Sequence, residues 1–231
     1  MSYNEAPQIE EIIDGASEVV IVQADNPDAD SLGSALALEH ILGDMGKHVV
    51  MYCGVEMPTY LRYLEGWDRV QPDLPGKFDA SVIVDASTMS LLDKLEQSGQ
   101  KGSLAAKPCA VLDHHAVVEN VVPFAEVILN DPEESSSASE VIYKLAKQLS
   151  WPMSVEAQTC MMAAILGDTQ GLSNQLARAG TYRIMADMVD AGVDRPGLEE
   201  LRREAGKMPA EIFKYKAELI RRTVFAADGR V

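Results

Sequence analysis

Val19-Val20-Ile21-Val22-Gln23-Ala24-Asp25-Asn26-Pro27-Asp28-Ala29-Asp30-Ser31-Leu32-Gly33-Ser34-Ala35-Leu36 decides how the rest of the chain is read. Its opening is apolar and β-branched, the pattern of a strand buried on both faces of a parallel sheet. Its end, from Gly33 through the Ala and Leu residues, reads as the start of a helix. Between the two lies an acidic loop. In open α/β sheets such a loop sits at the carboxyl edge of the strands, where ligands bind. Asp28 and Asp30 stand two apart, so both carboxylates can converge on hard or borderline divalent cations such as Mg²⁺ or Mn²⁺. The plainer reading of the same residues is a solvated acidic turn that caps a helix.

Outward from this stretch, the pattern repeats. A short helix is predicted from Ile9 to Gly15, then the first strand over Glu18 to Ala24. Leu36, Leu38, Ile41, Leu42 and Met45 recur at helical spacing between Ser34 and Gly46, and Gly46 ends the run. Further strands are predicted over Lys47 to Cys53, Phe78 to Asp85, Cys109 to Leu112 and, with a break, Val121 to Asn130. Pro58 to Leu64 reads as a short helical piece with Trp67 beneath it, and Leu91 to Gln97 as a helix. Strands and helices alternating in this way, with acidic residues at the strand ends, predict an α/β fold. It is a doubly wound, mostly parallel five-stranded sheet with helices on both faces.

A helical segment follows. Ala138 to Leu149 is predicted to be capped by Ser137 with Glu140 three residues on. Ser154 to Leu166 and Leu176 to Ala191 come next. Pro196 to Val224 then forms one or two amphipathic helices, parted near Gly206 to Pro209. The tail from Phe225 to Val231 reads as a turn feeding a new strand. The division expected is residues 1–192 as the α/β metal-binding domain and 193–231 as a helical linker, the chain being the front part of something longer.

At 231 residues the chain is long enough for one domain, or one domain and an appendage. Hydrophobic residues make up 47% of it, no apolar run reaches membrane-span length, and the first residues are not a signal peptide. Three scattered cysteines without a CxxC point to buried thiols in a reducing compartment, hence a cytoplasmic protein. A formal net charge of −16 repels nucleic acid at long range, which argues against a stable duplex partner. It does not exclude an enzyme acting on phosphates, because bound divalent ions invert the local field.

Residues placed just past predicted strands and helices gather the chemistry: Asp28, Asp30, Asp85, Asp113, His114, His115 and Asp168. Carboxylates with an imidazole suit Mn²⁺, or Mg²⁺, as one or two ions. Two ions about 3.5–4 Å apart can clamp both oxygens of an in-line phosphoryl displacement. Other sites fail on sequence. No GxGxxG and no GxxxxGK[ST] occurs, and Cys109 and Cys160 have no histidine nearby in sequence. His40, His48, Trp67 and Trp151 read as structural or surface residues. Ser135 to Ser137 read as a turn and cap, with substrate contact as the alternative.

The residues now resemble a family. Pro27-Asp28-Ala29-Asp30-Ser31-Leu32-Gly33-Ser34 is similar to the first motif of the DHH phosphoesterases. Asp85 in Val84-Asp85-Ala86-Ser87, Asp113-His114-His115, and Asp168 in Gly167-Asp168-Thr169 resemble the second, third and fourth. The family includes RecJ-like exonucleases, nanoRNase-type oligoribonucleases, cyclic-dinucleotide phosphodiesterases, exopolyphosphatases and manganese pyrophosphatases. The resemblance implies that Asp30, Asp85, His114 and Asp168 bind one ion and that Asp28 and Asp85 bind the other, with Asp85 bridging. It implies a bridging water or hydroxide as nucleophile, His115 facing the scissile phosphate, and Asp113 fixing the imidazoles from behind. The expected substrates are short oligonucleotides, cyclic dinucleotides or nucleoside bisphosphates, with short polyphosphate as the alternative.

One departure matters. The family's first motif carries a histidine four residues before the first aspartate, and here that residue is Ala24. A methyl group cannot bind a metal. Three readings stay open: a second ion held weakly and only with substrate, altered ligation through Asp25 or Gln23, or a weakly active member with a regulatory or scaffold role. The family's smaller C-terminal domain, which closes over substrate, is expected beyond the linker. Leu198 to Phe225 can be that linker or a homodimer contact.

Overall fold

Alternation along each strand decides which of two cores a residue enters. The computed structural model describes residues 2–116 and 121–224. Five strands, β1 (Glu18–Val22), β2 (His48–Tyr52), β3 (Ala80–Val84), β4 (Cys109–Asp113) and β5 (Val127–Asn130), form one sheet in the order β2-β1-β3-β4-β5. Every pairing is parallel. Val19, Ile21, Val82, Val84 and Leu112 enter the larger core, and Val20, Val22, Ile83 and Val111 the smaller one on the opposite face. Burial on both faces is why these strands are apolar almost throughout.

The larger core is covered by α1 (Ala6–Asp14), α2 (Ala29–Asp44), α5 (Ala138–Leu149) and α6 (Val155–Asp168). Shorter pieces, α3 (Asp93–Gln97) and α4 (Lys101–Ala105), cover the other face through Leu95 and Leu104. Helices α2 and α6 touch closely because small residues line their contact. A Cβ at Gly33 would lie 2.7 Å from the Cys160 carbonyl oxygen, and one at Gly167 would lie 2.7 Å from the Ala29 Cβ. That approach carries the C-terminal end of α6 to the N-terminal end of α2. The two ends bear Asp168 and Asp30.

The register aligns the strand ends. Val84 pairs with Leu112, so Asp85 lies level with Asp113 at the carboxyl edge. Val22 pairs with Ile83, and continuing that register brings Ala24 level with Asp85. The sheet edge is therefore where the acidic residues meet.

Several boundaries differ from the sequence reading. Helix α2 begins at Ala29, not Ser34, because Asp28 caps it: its Oδ1 accepts hydrogen bonds from the amides of Asp30 at 2.9 Å and Ser31 at 3.0 Å. The acidic loop is thus the helix's cap and first turn. Asp168 is the last residue of α6 and not a residue past its end. Helix α1 starts at Ala6 with a proline in its first turn, and α4 is an addition to the expected elements. Strand β5 is confined to Val127–Asn130, while Val121 makes an isolated antiparallel bridge to Thr88. At the start of α5, Ser137 Oγ accepts from the Glu140 amide, but Glu140 returns to the Ser136 amide in place of the Ser137 amide. Ser135, Ser136 and Ser137 are all buried.

Beyond α7 (Ala179–Asp190), the last stretch forms α8 (Arg195–Ala205) and α9 (Ala210–Arg222). Helix α8 is pinned by buried Leu198 and by Arg202, which donates to the Leu166 carbonyl at 3.2 Å. Helix α9 buries no residue. The strand expected from Phe225 onward lies outside the described residues. Among the described residues, no helix is long and apolar enough to cross a membrane.

Candidate metal centre

Three elements deliver carboxylates to one imidazole. His114, just past β4, is 8% exposed, and its Nε2 stands 3.1 Å from Asp168 Oδ2, 3.5 Å from Asp30 Oδ2 and 3.7 Å from Asp85 Oδ1. Asp30, His114 and Asp168 each offer a ligand atom, and these atoms all lie within 4.8 Å of one another. A second group, Asp85, Asp113, His114 and His115, meets the same condition.

Asp30 is held from two sides. Its Oδ1 accepts from Ser34 Oγ on its own helix at 3.0 Å and from the Ser139 amide at 3.2 Å. Its Oδ2 accepts from the Ala138 amide at 2.7 Å. The N-terminus of α5 thus points at Asp30, and the unpaired amides of a helix start favour negative charge there. Complete burial and the nearby Asp168 nonetheless outweigh those donors and His114, and push the Asp30 carboxyl up to about 7. Charge in this pocket is crowded until a cation relieves it.

Asp85 is less comfortable still. It is 6% exposed and sits in the left-handed region, with φ at 58°. A side chain other than glycine in that conformation is strained, and such strain clusters at functional sites. Burial, together with Asp30, Asp28 and Asp113, raises its carboxyl well above the usual range. Asp85 Oδ1 and His114 Nε2 are both buried; Asp85 Oδ1 has no hydrogen-bond partner, and His114 Nε2 approaches Asp168 Oδ2 at 3.1 Å without an aligned bond. Orphaned buried polar atoms cost stability and call for an explanation. Hard oxygens converging on an imidazole are what a divalent cation such as Mn²⁺ takes, so the residues present fit one.

Asp113 does different work. Its Oδ1 accepts from the amides of His114 at 2.7 Å and His115 at 3.3 Å, and from His115 Nδ1 at 2.8 Å. Its Oδ2 accepts from the Ser87 amide at 2.9 Å. Burial alone would raise this carboxyl, but the bonds from His115 and Ser87 prevail and hold it below the usual range. With its lone pairs committed, Asp113 fixes the loop and the ring of His115. The Asp113 contact in turn raises the His115 imidazole, whose side chain is 55% exposed.

Asp28 is placed differently from the other acids. It is exposed, it caps α2, and it lies outside both groups of converging ligand atoms. Neither proposed substitute for a nitrogen at Ala24 is free of complication. Asp25 Oδ2 accepts from the Lys94 amide at 2.6 Å, while Gln23 is fully buried with both amide atoms unpartnered. Ala24 itself is 3% exposed and packed in the smaller core. His40 is part-buried and His48 exposed, both away from the centre, and all three cysteines are buried and free. Sequence reasoning misses Ser139 and the Ala138 amide. No local signal ties them to Asp30, more than 100 positions away.

A family model described as DHH family, N-terminal domain, matches residues 18–165. The chain is 29% identical over 180 residues to an uncharacterized protein of Mycoplasma pneumoniae, the MG371 homolog, across 74% of this chain. It is 25% identical over 208 residues, 88% of this chain, to the bifunctional oligoribonuclease and PAP phosphatase NrnA of Thermus thermophilus. It spans 50% of the first protein's length and 58% of the second's. An exopolyphosphatase-related protein from Bacteroides fragilis shares the fold with a TM-score of 0.81 at 20% identity, over 96% of this chain and 66% of the other. The order of strands, the DHH loop after β4 and the matched span make this chain a member of the DHH family.

Proposed function

We propose that this chain carries the metal-binding half of a divalent-metal-dependent phosphoesterase that acts on nucleotide substrates. The observation that carries the reading is the pair of buried atoms without an aligned hydrogen bond, Asp85 Oδ1 and His114 Nε2, facing Asp30 and Asp168. Asp30, Asp85, His114 and Asp168 would hold one ion, and Asp28 with Asp85 a second. Such ions supply a water activated at neutral pH and a clamp on the phosphoryl oxygens.

The chain's own groups do the rest. Asp113 takes the Nδ1–H of His115 and so leaves Nε2 of that half-exposed ring to face the scissile phosphate. Ser34 and the α5 amides hold Asp30 in one rotamer, which fixes the direction of its free lone pairs. Asp28 keeps one oxygen on the α2 amides and has the other to offer. The helical stretch from 193 reads as the link toward a substrate-closing part, with α8 docked and α9 unburied.

Short oligonucleotides, cyclic dinucleotides and nucleoside bisphosphates are the substrates we propose. Similarity to a relative named as an oligoribonuclease and PAP phosphatase supports the first and third. Ala24 supports a second reading, a weakly active member with a regulatory role. Hydrolysis of a 5′-phosphorylated dinucleotide with Mn²⁺, compared with Asp85→Ala, separates them. Turnover that vanishes in the variant supports the enzyme, and no turnover in either, in the full-length protein, supports the regulator.

A further inference from the structure

A cavity of about 700 Å³ opens beside the metal centre, with Asp28 and Asp168 on its wall nearest the proposed ions. The opposite walls come from two segments the motifs do not include. One is the stretch with Tyr60 and Tyr63, between β2 and β3, and the other is α8, with Glu199 and Arg202. The volume suits a nucleoside-sized group, since ligand sites run from roughly 300 to 1,000 Å³.

Three features say what kind of group fits. Tyr60 is 50% exposed, and its hydroxyl donates to the Pro27 carbonyl at 3.3 Å, which ties the ring to the turn that carries Asp28. Tyr63 adds a second tyrosine to the same wall, with its hydroxyl buried away from the opening. The charges, finally, favour a neutral group over another phosphate. Arg202 is paired with Glu199 at 3.0 Å and with the Leu166 carbonyl, and Arg203 is paired with Glu200. No unpaired cation lines the cavity among the described residues, while Asp28 and Asp168 face it.

From this we infer that the cavity seats the nucleobase next to the scissile phosphate, a neutral aromatic heterocycle stacked on Tyr60. The inference rests on the reading of the metal centre as a phosphoester site. It narrows the substrate to a nucleotide and disfavours a linear polyphosphate, whose next phosphate would meet Asp28 and Asp168 on walls where both arginines are already paired. Stacking on an aromatic ring strengthens binding roughly ten- to a hundredfold per base and tolerates any base.

The test uses the full chain loaded with Mn²⁺, with ion binding measured separately by electron paramagnetic resonance. Calorimetric titrations with adenosine 5′-monophosphate, ribose 5-phosphate and tripolyphosphate should rank the first at least about tenfold tighter than the other two. Tyr60→Ala should erase that preference, lowering adenosine 5′-monophosphate affinity at least about tenfold more than ribose 5-phosphate affinity. Tyr63→Phe removes only a hydroxyl that the cavity does not reach, so it should leave the preference intact. Equal binding of the nucleotide and the sugar phosphate, or a preference that survives Tyr60→Ala, overturns the base site while leaving the metal centre standing. Absence of Mn²⁺ binding in the wild type overturns the metal centre and the base site with it.

Discussion

Asp30 and Asp28 share one turn of chain yet live in different solvents. Asp30 is buried, takes hydrogen bonds from α5 and Ser34, and leans toward His114 and Asp168. Asp28 is exposed, spends an oxygen on the start of its own helix, and has Ala24 where the family pattern has a histidine. The same contrast runs across the cleft. On one side four groups are packed so tightly that burial and mutual repulsion raise Asp30 and Asp85. The other side has one carboxylate and a methyl. The site is therefore lopsided: one half is pre-formed and the other is open.

The largest expected effect follows from Asp85, which we propose serves both halves. Asp85→Ala should lower Mn²⁺-dependent hydrolysis of a dinucleotide by about a thousandfold, as the loss of several kcal/mol of charge stabilisation requires. Asp28→Ala should lower it by only about tenfold, because the pre-formed half survives. Equal losses in the two variants would erase the lopsidedness. Next in size, Ala24→His should tighten a second equivalent of Mn²⁺ about tenfold, read by calorimetric titration, if nitrogen ligation is all that half lacks. An unchanged second equivalent would show that the packing around Ala24 and Cys53 leaves no room for the ring.

Smaller effects concern stability without metal. Asp85→Asn keeps the shape and removes a charge crowded by its neighbours. In EDTA it should raise the melting temperature by about 2–4 °C, the equivalent of about 1 kcal/mol for a chain this size, and abolish the further rise that Mn²⁺ gives. Asp28→Asn should leave the melting temperature within a degree or so, since asparagine caps a helix as well as aspartate. The pH dependence has a definite sign. A carboxyl whose folded-state pKa lies above its unfolded value stabilises the fold at low pH and loses that stability as pH rises through the folded value. For Asp30 the window runs from 3.8 to about 7. Melting scans in EDTA should therefore show the wild type losing stability relative to Asp30→Asn across that window, with the Mn²⁺-induced rise growing over the same range. A gap that stays constant with pH would remove charge crowding as the cause.

How much is legible in the sequence depends on whether the cause is local. The five strands can be read because burial on both sheet faces makes runs such as Ser81-Val82-Ile83-Val84 apolar to their last residue. Asp85 and the Asp113-His114-His115 stretch are noticeable for the same reason, as each comes directly at the end of such a run. The start of α2 escapes a sequence reading because a helix whose cap and first turn read Asp, Ala, Asp and Ser looks like a loop until the cap is seen. Short α4 lacks the length for a periodic signal. The partners of Asp30 on α5, the α2–α6 contact through Gly33 and Gly167, and the cavity shared by Tyr60 and α8 all depend on chain crossings. No pattern within a single segment announces them.

A crystal soaked in Mn²⁺, with anomalous scattering used to locate the ions, tests the lopsided centre most directly. One strong peak is expected among His114 Nε2 and the carboxylates of Asp30, Asp85 and Asp168, with a weaker one beside Asp28 that fills only at higher Mn²⁺ concentration. Saturating Mn²⁺ with no peak at His114, or a peak beside Asp28 alone, would contradict it.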